Sequence, residues 1–460
     1  MAIPKIQIPQ KPNYKKISLE EDFFSLFQKI EKNFTTCFLF ESLGTEYDSR
    51  YSIIGFSPKS IIKARGKSLF IDEEEYLSDN PYYLLREYLP TNVLTRLYAG
   101  GLIGYLSYES MNYFEPSLQL PLHKDFETFL FGLFLDGLIL DTMTGEIFYF
   151  YYGSEESNRS EQVIAIAKQK LPTNPGNPKV DFLGYTMTRD EHRRAVLQTI
   201  EEIKSGNTFQ CQIGFKSEYK ITGDTLPIYA KLRQVNPSPH MFYFKHGDKK
   251  IIGASPELLF RLRDGDMETF PLAGSIRRGN KDNPGEDLKM ARTLLNDPKE
   301  IAEHNMLVDL HRNDLGRVAR YGSVKVRRLM DVKKFSHIQH ISSEVTGVIS
   351  KKDDMFSGLA SNFPAGTLSG APKIESMKII HRMESDPRGP YGGSIGHFGL
   401  DGNCIFAIPI RSLFISGTDA YTQASGGIVY DSTPENEYDE IMRKSAAMAS
   451  VLQHFQEDAK

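Results

Sequence analysis

Short apolar runs of strand length fill the first third of the chain, at 37–41, 51–55, 60–64, 129–135 and 145–152. Such runs, rich in Ile, Phe and Tyr, read as strands that are buried on one or both faces. Similar runs recur at 241–244, 250–253, 406–410 and 427–430, there punctuated by helix patterns at 189–205, 298–307 and 434–455. The order is mixed and not a regular strand-helix-strand alternation. It therefore predicts an α+β fold with large antiparallel sheets and flanking helices, not a doubly wound parallel sheet. Between 153 and 180, Ser, Glu, Asn, Pro and Gly collect around a short helical piece at 161–170, which reads as a linker. The expected organisation is a β-rich N-terminal domain over 1–152, the linker at 153–180, and a second domain over 181–460.

A chain of 460 residues with 40% hydrophobic content can bury a substantial core. Its net charge of -4 gives no basic footprint for nucleic acid and no polybasic surface for membranes, so an anionic substrate must meet local positive charge. Cys37, Cys211 and Cys404 are scattered without metal or redox spacing, which suits a reducing compartment. No stretch approaches the length of a membrane span and the first residues lack an apolar leader, so the expected location is the cytoplasm. Aromatic residues are plentiful, with 29 Phe and 23 Tyr, yet Trp is absent.

The chemistry concentrates on two acidic helix starts. After Ser432, Pro434 fits a first turn, and Ser432 with Glu435 has capping-box spacing. Glu437, Glu440 and Lys444 then stand at i, i+3 and i+7, on one face. Acids at a helix start also suit the macrodipole, so a solvated face remains open. In the second helix start, Asp297 can cap, Pro298 fits the first turn and Glu300 holds a capping-box position, but none of these accounts for Glu303. If Glu303 faces Glu440 across a cleft, the pair offers the hard oxygen ligands that Mg²⁺ takes.

Two glycine-rich loops follow. The loop 363–373 leads into a helical pattern, so Gly366 to Gly370 and Thr367 can present an anion site or simply form the turn. The loop 271–281 has phosphate-loop glycine spacing, but Asn280 stands where the lysine would be and no Ser or Thr follows, which excludes a nucleotide there. The stretch 309–315 resembles a kinase catalytic loop without the accompanying motifs. Arg411 at a strand end, Tyr391 in the turn 388–393 and His340 among β-branched residues are further polar candidates, each with a purely structural alternative.

Together these segments resemble the chorismate-utilising enzymes, and among them most closely the large subunits that form anthranilate. The resemblance runs from about 36 to 452. It is carried by Phe38-Leu-Phe-Glu-Ser, Asn236-Pro-Ser-Pro, Ala254-Ser-Pro-Glu, Pro271-Leu-Ala-Gly, Glu300-Ile-Ala-Glu-His with its continuation to Leu310, 363–373, and Gly426 to Ser432. It implies a two-lobed fold and a site for chorismate, which carries two carboxylates and a ring hydroxyl. By resemblance, Glu303 and Glu440 hold Mg²⁺ with Glu300 and Glu437 in support. Gly274, Ser275, Thr367, Tyr391, Arg411, Gly426, Gly427 and Lys444 bind substrate. Glu257 is the general acid and His340 assists loss of pyruvate.

Gln210 stands where water-adding relatives have a lysine base, which implies ammonia as nucleophile. Ala273 stands where aminodeoxychorismate synthases commonly carry lysine, which implies anthranilate as the product. The absence of Trp fits an enzyme needed when tryptophan is scarce. Glu41 and Ser42 with Pro239, His240 and Met241 resemble the family's tryptophan feedback site. Ile276-Arg277 replaces the usual Arg-Pro, Phe40 a leucine and Ser425 a glycine. No glutaminase nucleophile motif occurs, which implies a separate glutamine amidotransferase subunit as the ammonia source. An aminodeoxychorismate synthase and an inactive tryptophan-binding homologue are the competing readings.

Overall fold

The computed structural model describes residues 3–43, 50–170, 176–279, 284–334 and 338–457, with the side chains of Ala273, Ser275, Arg277, Pro284, Ile338 and Glu457 outside that description. Two twelve-stranded sheets organise it, and every recorded pairing between strands is antiparallel. In the first sheet, Thr36–Glu41 lies between Tyr51–Phe56 and His240–His246, and the order continues through Lys249–Ser255, Ser412–Ser416, Asp419–Ile428, Gln210–Thr222 and Lys179–Tyr185. In the second, Leu272–Arg277 pairs with Ile338–Val348 at one end, and Gly101–Leu106 and Phe129–Phe134 lie beyond Ser394–Gly399. Strands from before 153 and after 180 thus share both sheets. The stretch between them carries the helix Ser160–Ala167, close to the expected 161–170.

The period of two explains why the strand runs read as nearly continuous apolar sequence. Along His240–His246, Phe242 and Phe244 enter the core between the sheets, whereas Met241 and Tyr243 enter a second core under the helices. Phe38 and Leu39, Ile53 and Ile54, and Ile251 and Ile252 divide in the same way. The helices Phe23–Asn33, Leu226–Val235 and Pro434–Glu457 cover that second core. Asp22 and Thr188 cap their helices with side-chain oxygens that accept from first-turn amides, which satisfies donors that otherwise have no partner.

The helices expected at 189–205, 298–307 and 434–455 are present as Arg189–Lys204, Pro298–Gly316 and Pro434–Glu457. The strand expected at 406–410 is Cys404–Ala407 and ends earlier. Arg411 therefore lies beyond it, just ahead of Ser412–Ser416. Phe406 is fully buried between the sheets, with its ring centroid 4.6 Å from that of Phe398. Phe406→Ala should lower unfolding free energy by about 3–5 kcal/mol, read as a lower urea midpoint with an unchanged slope.

Candidate active site

A cavity of about 220 Å³ lies between the two sheets and the first turns of two helices. One wall is the antiparallel pair Gln210–Thr222 and Asp419–Ile428. Alternation aims Gln210 and Gln212 from one strand, and Gln423, Ser425 and Gly427 from the other, into the same space. A Cβ at Gly427 would stand 2.7 Å from Gln210 Nε2 and 2.8 Å from Gln212 Nε2, so any other residue there would push the two amides aside. Gln210 Nε2 donates to Glu303 Oε1 at 2.7 Å, and Ser425 Oγ donates to Gln212 Oε1 at 3.1 Å.

The opposite side is acidic. Pro298–Gly316 starts at Asp297, whose carboxylate accepts from the amides of Lys299 and Glu300, and its first turns present Lys299, Glu300, Glu303 and Leu307 to the cavity. Pro434–Glu457 presents Glu437, Glu440 and Lys444. Ser432 does not form the expected box with Glu435; its hydroxyl donates to Glu437 Oε1 at 2.7 Å, which turns that acid inward. Gly426 does not line the cavity. A Cβ there would lie 2.8 Å from Glu437 Oε2, so the glycine makes room for the carboxylate behind it. Gly274, at φ +71°, does the same for Glu300, whose Oε2 would stand 2.7 Å from an added Cβ.

Burial, then the neighbouring carboxylates of Glu303 and Asp297, push the Glu300 pKa up to about 7. Burial chiefly pushes Glu437 up to about 7 against its bond from Ser432, and raises Glu303 against its bond from Gln210. Among the described residues no group of three or more His, Cys, Asp or Glu is already gathered as a metal cage. The four glutamates are nonetheless hard oxygen donors, neighbouring carboxylates contribute to the raised pKa values of Glu300, Glu303 and Glu437, and Glu437 Oε2 is buried without a hydrogen-bond partner among the described residues. That donor set fits a divalent cation such as Mg²⁺.

The deeper wall has the opposite character. Arg411 adopts φ +52°, a left-handed conformation that costs a non-glycine residue energy. Its guanidinium lines the cavity without a hydrogen bond or ion pair to any described residue, and burial lowers its pKa. Glu257 is buried, accepts from Thr367 Oγ1 at 2.7 Å, and is pushed up to about 7 by burial. Tyr391 is buried with its hydroxyl 2.9 Å from that of Ser425. His340 Nδ1 lies 3.0 Å from the Gly274 carbonyl, and burial followed by the charge of Arg411 lowers its pKa to about 3. The imidazole is therefore neutral, and because a carbonyl only accepts, Nδ1 carries the proton. Lys444 donates to Ser425 O at 2.9 Å and pairs with Glu440 Oε1 at 2.7 Å.

The cavity thus gathers Gln210, Glu257, Gly274, Glu300, Glu303, His340, Thr367, Tyr391, Arg411, Gly427, Glu437, Glu440 and Lys444 from distant parts of the chain. The side chain of Ser275 lies outside the described residues; its backbone pairs with His340. Ser42, Pro239, His240 and Met241 do not line the cavity. They meet elsewhere, where Met241 pairs with Glu41 and the Leu43 amide donates to Ser238 O at 3.0 Å. There Ser42 Oγ and Asn236 Nδ2 are buried without hydrogen-bond partners among the described residues.

Sequence reading missed Lys299, Gln212 and Gln423. The last two stand two residues from Gln210 and Ser425, so strand alternation was the available signal. It also missed Arg388, which is 2% exposed and makes paired bonds to Glu384 at 2.7 and 2.8 Å while donating to Leu368 O and Gln212 O. That pair braces the cavity wall from behind.

A family model described as chorismate binding enzyme matches residues 35–450. The chain is 54% identical over 458 residues to anthranilate synthase component 1 of Leptospira biflexa, covering 98% of each protein. It is 34% identical to aminodeoxychorismate synthase component 1 of Bacillus subtilis, covering 98% of this chain and 99% of that one. The crystal structure of anthranilate synthase component I from Streptococcus pneumoniae superposes with a TM-score of 0.80 at 30% identity, over 88% of this chain and 93% of the other.

Arg388→Met leaves Glu384 buried and uncompensated and should cost about 3–5 kcal/mol in urea unfolding. Arg388→Met combined with Glu384→Leu should recover most of that loss in the same measurement.

Proposed function

The chain belongs to the chorismate binding enzyme family, and from that premise we propose that it converts chorismate and ammonia into anthranilate and pyruvate. The observation that carries this reading is the unpaired Arg411 guanidinium, held in a strained backbone across a small cavity from four glutamates. A half-buried cation with unused donors, as Arg411 is, suits an anion, and clustered carboxylates suit a cation. A substrate with two carboxylates suits the first, and Mg²⁺ suits the second.

Arg411, Tyr391, Thr367 and Lys444 bind and orient the carboxylates and the enolpyruvyl arm, and Gly274 and Gly427, which line the same space, contribute backbone to that binding wall. Ser275 belongs with this group by its place in the strand beside His340. Glu303 and Glu440 would hold Mg²⁺, with Glu300 and Glu437 beside them. When bound, the ion supplies positive charge to the ring carboxylate. Glu257, protonated near neutral pH, gives its proton to the leaving ring hydroxyl, which departs as water while ammonia forms the new C–N bond. Gln210 is neutral and serves ammonia, which needs no base to become a nucleophile. Neutral His340 then assists loss of the ring proton as the ether C–O bond breaks, the ring becomes aromatic and pyruvate leaves.

Glutamine-derived ammonia comes from a separate amidotransferase subunit, in keeping with the component naming of the relatives. The patch of Ser42, Pro239, His240 and Met241 takes L-tryptophan as feedback inhibitor, and its two unpartnered polar groups suit such a ligand. No helix of the described residues is long and apolar enough to cross a membrane; the proposed location is the cytoplasm.

The protein with chorismate, ammonium and Mg²⁺ should release fluorescent anthranilate and pyruvate together. An aminated product that retains pyruvate would instead establish the aminodeoxychorismate reading, and no product at all the inactive one. Glu440→Ala should abolish Mg²⁺-dependent turnover while the far-ultraviolet dichroism stays unchanged.

The acid role of Glu257 needs its protonated form, which is lost as pH rises through its raised pKa of about 7. The rate should accordingly fall above neutrality. Glu257→Gln should lower kcat by roughly 10²–10⁴ and remove that alkaline limb from the pH profile.

A further inference from the structure

Five carboxyls line the cavity against three cationic side chains, Lys299, Arg411 and Lys444. These cations are placed very differently. Arg411 lies deep, and Lys444 is committed to Glu440 and the Ser425 carbonyl. Lys299, exposed in the first turn of Pro298–Gly316, makes no side-chain hydrogen bond or ion pair with the described residues. Its charge nevertheless reaches across the mouth. Lys299 lines the same cavity as Glu300 and Glu303 of its own helix and Glu437 and Glu440 of the facing one.

A doubly negative substrate entering the space that Arg411 lines meets those carboxylates as well, which repel it. The same carboxylates attract a divalent cation, which Lys299 repels. We propose that Lys299 sets the charge balance at the cavity mouth, speeding entry of the dianionic substrate while weakening the grip of the glutamates on Mg²⁺. The proposal rests on the reading of the cavity as a site for a dianion beside a divalent cation. It makes Lys299 a steering residue that touches neither the reacting atoms nor the metal. Removing its charge then has effects of opposite sign on the two ligands, which loss of structure does not.

The test compares Lys299→Gln and Lys299→Arg with the wild-type chain. Mg²⁺ is titrated calorimetrically without substrate, and kcat and KM for chorismate are measured with saturating ammonium. Lys299→Gln should bind Mg²⁺ roughly threefold more tightly and lose about tenfold in kcat/KM, with kcat changing much less. The loss in kcat/KM should shrink as KCl rises from about 0.05 to 0.5 M, because salt screens exposed charges over this distance. Lys299→Arg should behave as wild type. Unchanged kcat/KM, a salt-independent loss, or Mg²⁺ affinity that falls together with kcat/KM would each overturn the role of Lys299. A wild-type chain that binds no Mg²⁺ at all would instead overturn the underlying reading of the cavity.

Discussion

The buried ion pair of Arg388 and Glu384 is the joint on which the site depends. Removing a guanidinium and a carboxylate from water costs several kcal/mol each, and the cost is met only when nearly every donor and acceptor is used. Here Arg388 forks onto both oxygens of Glu384 and donates to the carbonyls of Leu368 and Gln212. Glu384 in turn accepts from the Gly214 amide at 2.9 Å and Gln423 Nε2 at 3.3 Å. The guanidinium also lies 4.6 Å from the Tyr108 ring centroid and 5.7 Å from that of Tyr391. One pair thus ties together a loop, two strands and the tyrosine that faces the cavity. An apolar pair of similar volume could fill the space, but it would hold none of those backbone groups in place.

With the wall fixed from behind, the cavity can carry electrostatic arrangements that would be unfavourable in a softer setting. Glu300, Glu303 and Glu437 have raised pKa values because burial and their neighbours disfavour the ionised forms. Arg411 is strained in its backbone and has no hydrogen-bond or ion-pair partner among the described residues. In most interiors such groups pair with each other, yet here Arg411 and the glutamates of the two helices occupy different walls of a space of about 220 Å³. The separation maintains two fields of opposite sign within one small volume. A ligand that carries both an anionic group and a metal-binding carboxylate can satisfy both at once.

Much of this was legible in the sequence because its signals were periodic. Glu437, Glu440 and Lys444 could be placed on one face from helix geometry alone, and all three reach the cavity. The two-core strands could be recognised from their unbroken apolar character. What could not be read was set by long-range partners. The inward turn of Glu437 depends on Ser432, which local capping rules assigned to Glu435. Arg411 was expected to end a strand, whereas its left-handed backbone follows from where two separate strands must start and stop. Glu384 stands four residues before Arg388, but the burial of the pair depends on the distant carbonyls of Gln212 and Leu368, which that spacing does not reveal. The division at 153–180 was drawn from composition, and composition does not reveal that strands before and after it share both sheets.

That sharing bears on regulation. The patch around Ser42 and Met241 belongs to the pairing of Thr36–Glu41 with His240–His246. The latter strand also pairs with Lys249–Ser255, in a register that sets His240 opposite Ser255, two residues before Glu257. Ser255 Oγ accepts from the Glu257 amide at 3.2 Å. On the proposed reading, an inhibitor that moves His240–His246 acts on the backbone that positions the general acid. Glu41 resists such movement, because its carboxylate is held by Arg233 at 2.7 and 3.0 Å and by Tyr229 at 2.7 Å, anchoring the strand edge to the helix Leu226–Val235. A ligand satisfying Ser42 and Asn236 therefore works against a charged anchor on one side and a hydrogen-bonded hairpin on the other. Under the proposed reading such coupling would need no separate relay, since the strand His240–His246 pairs with both neighbours.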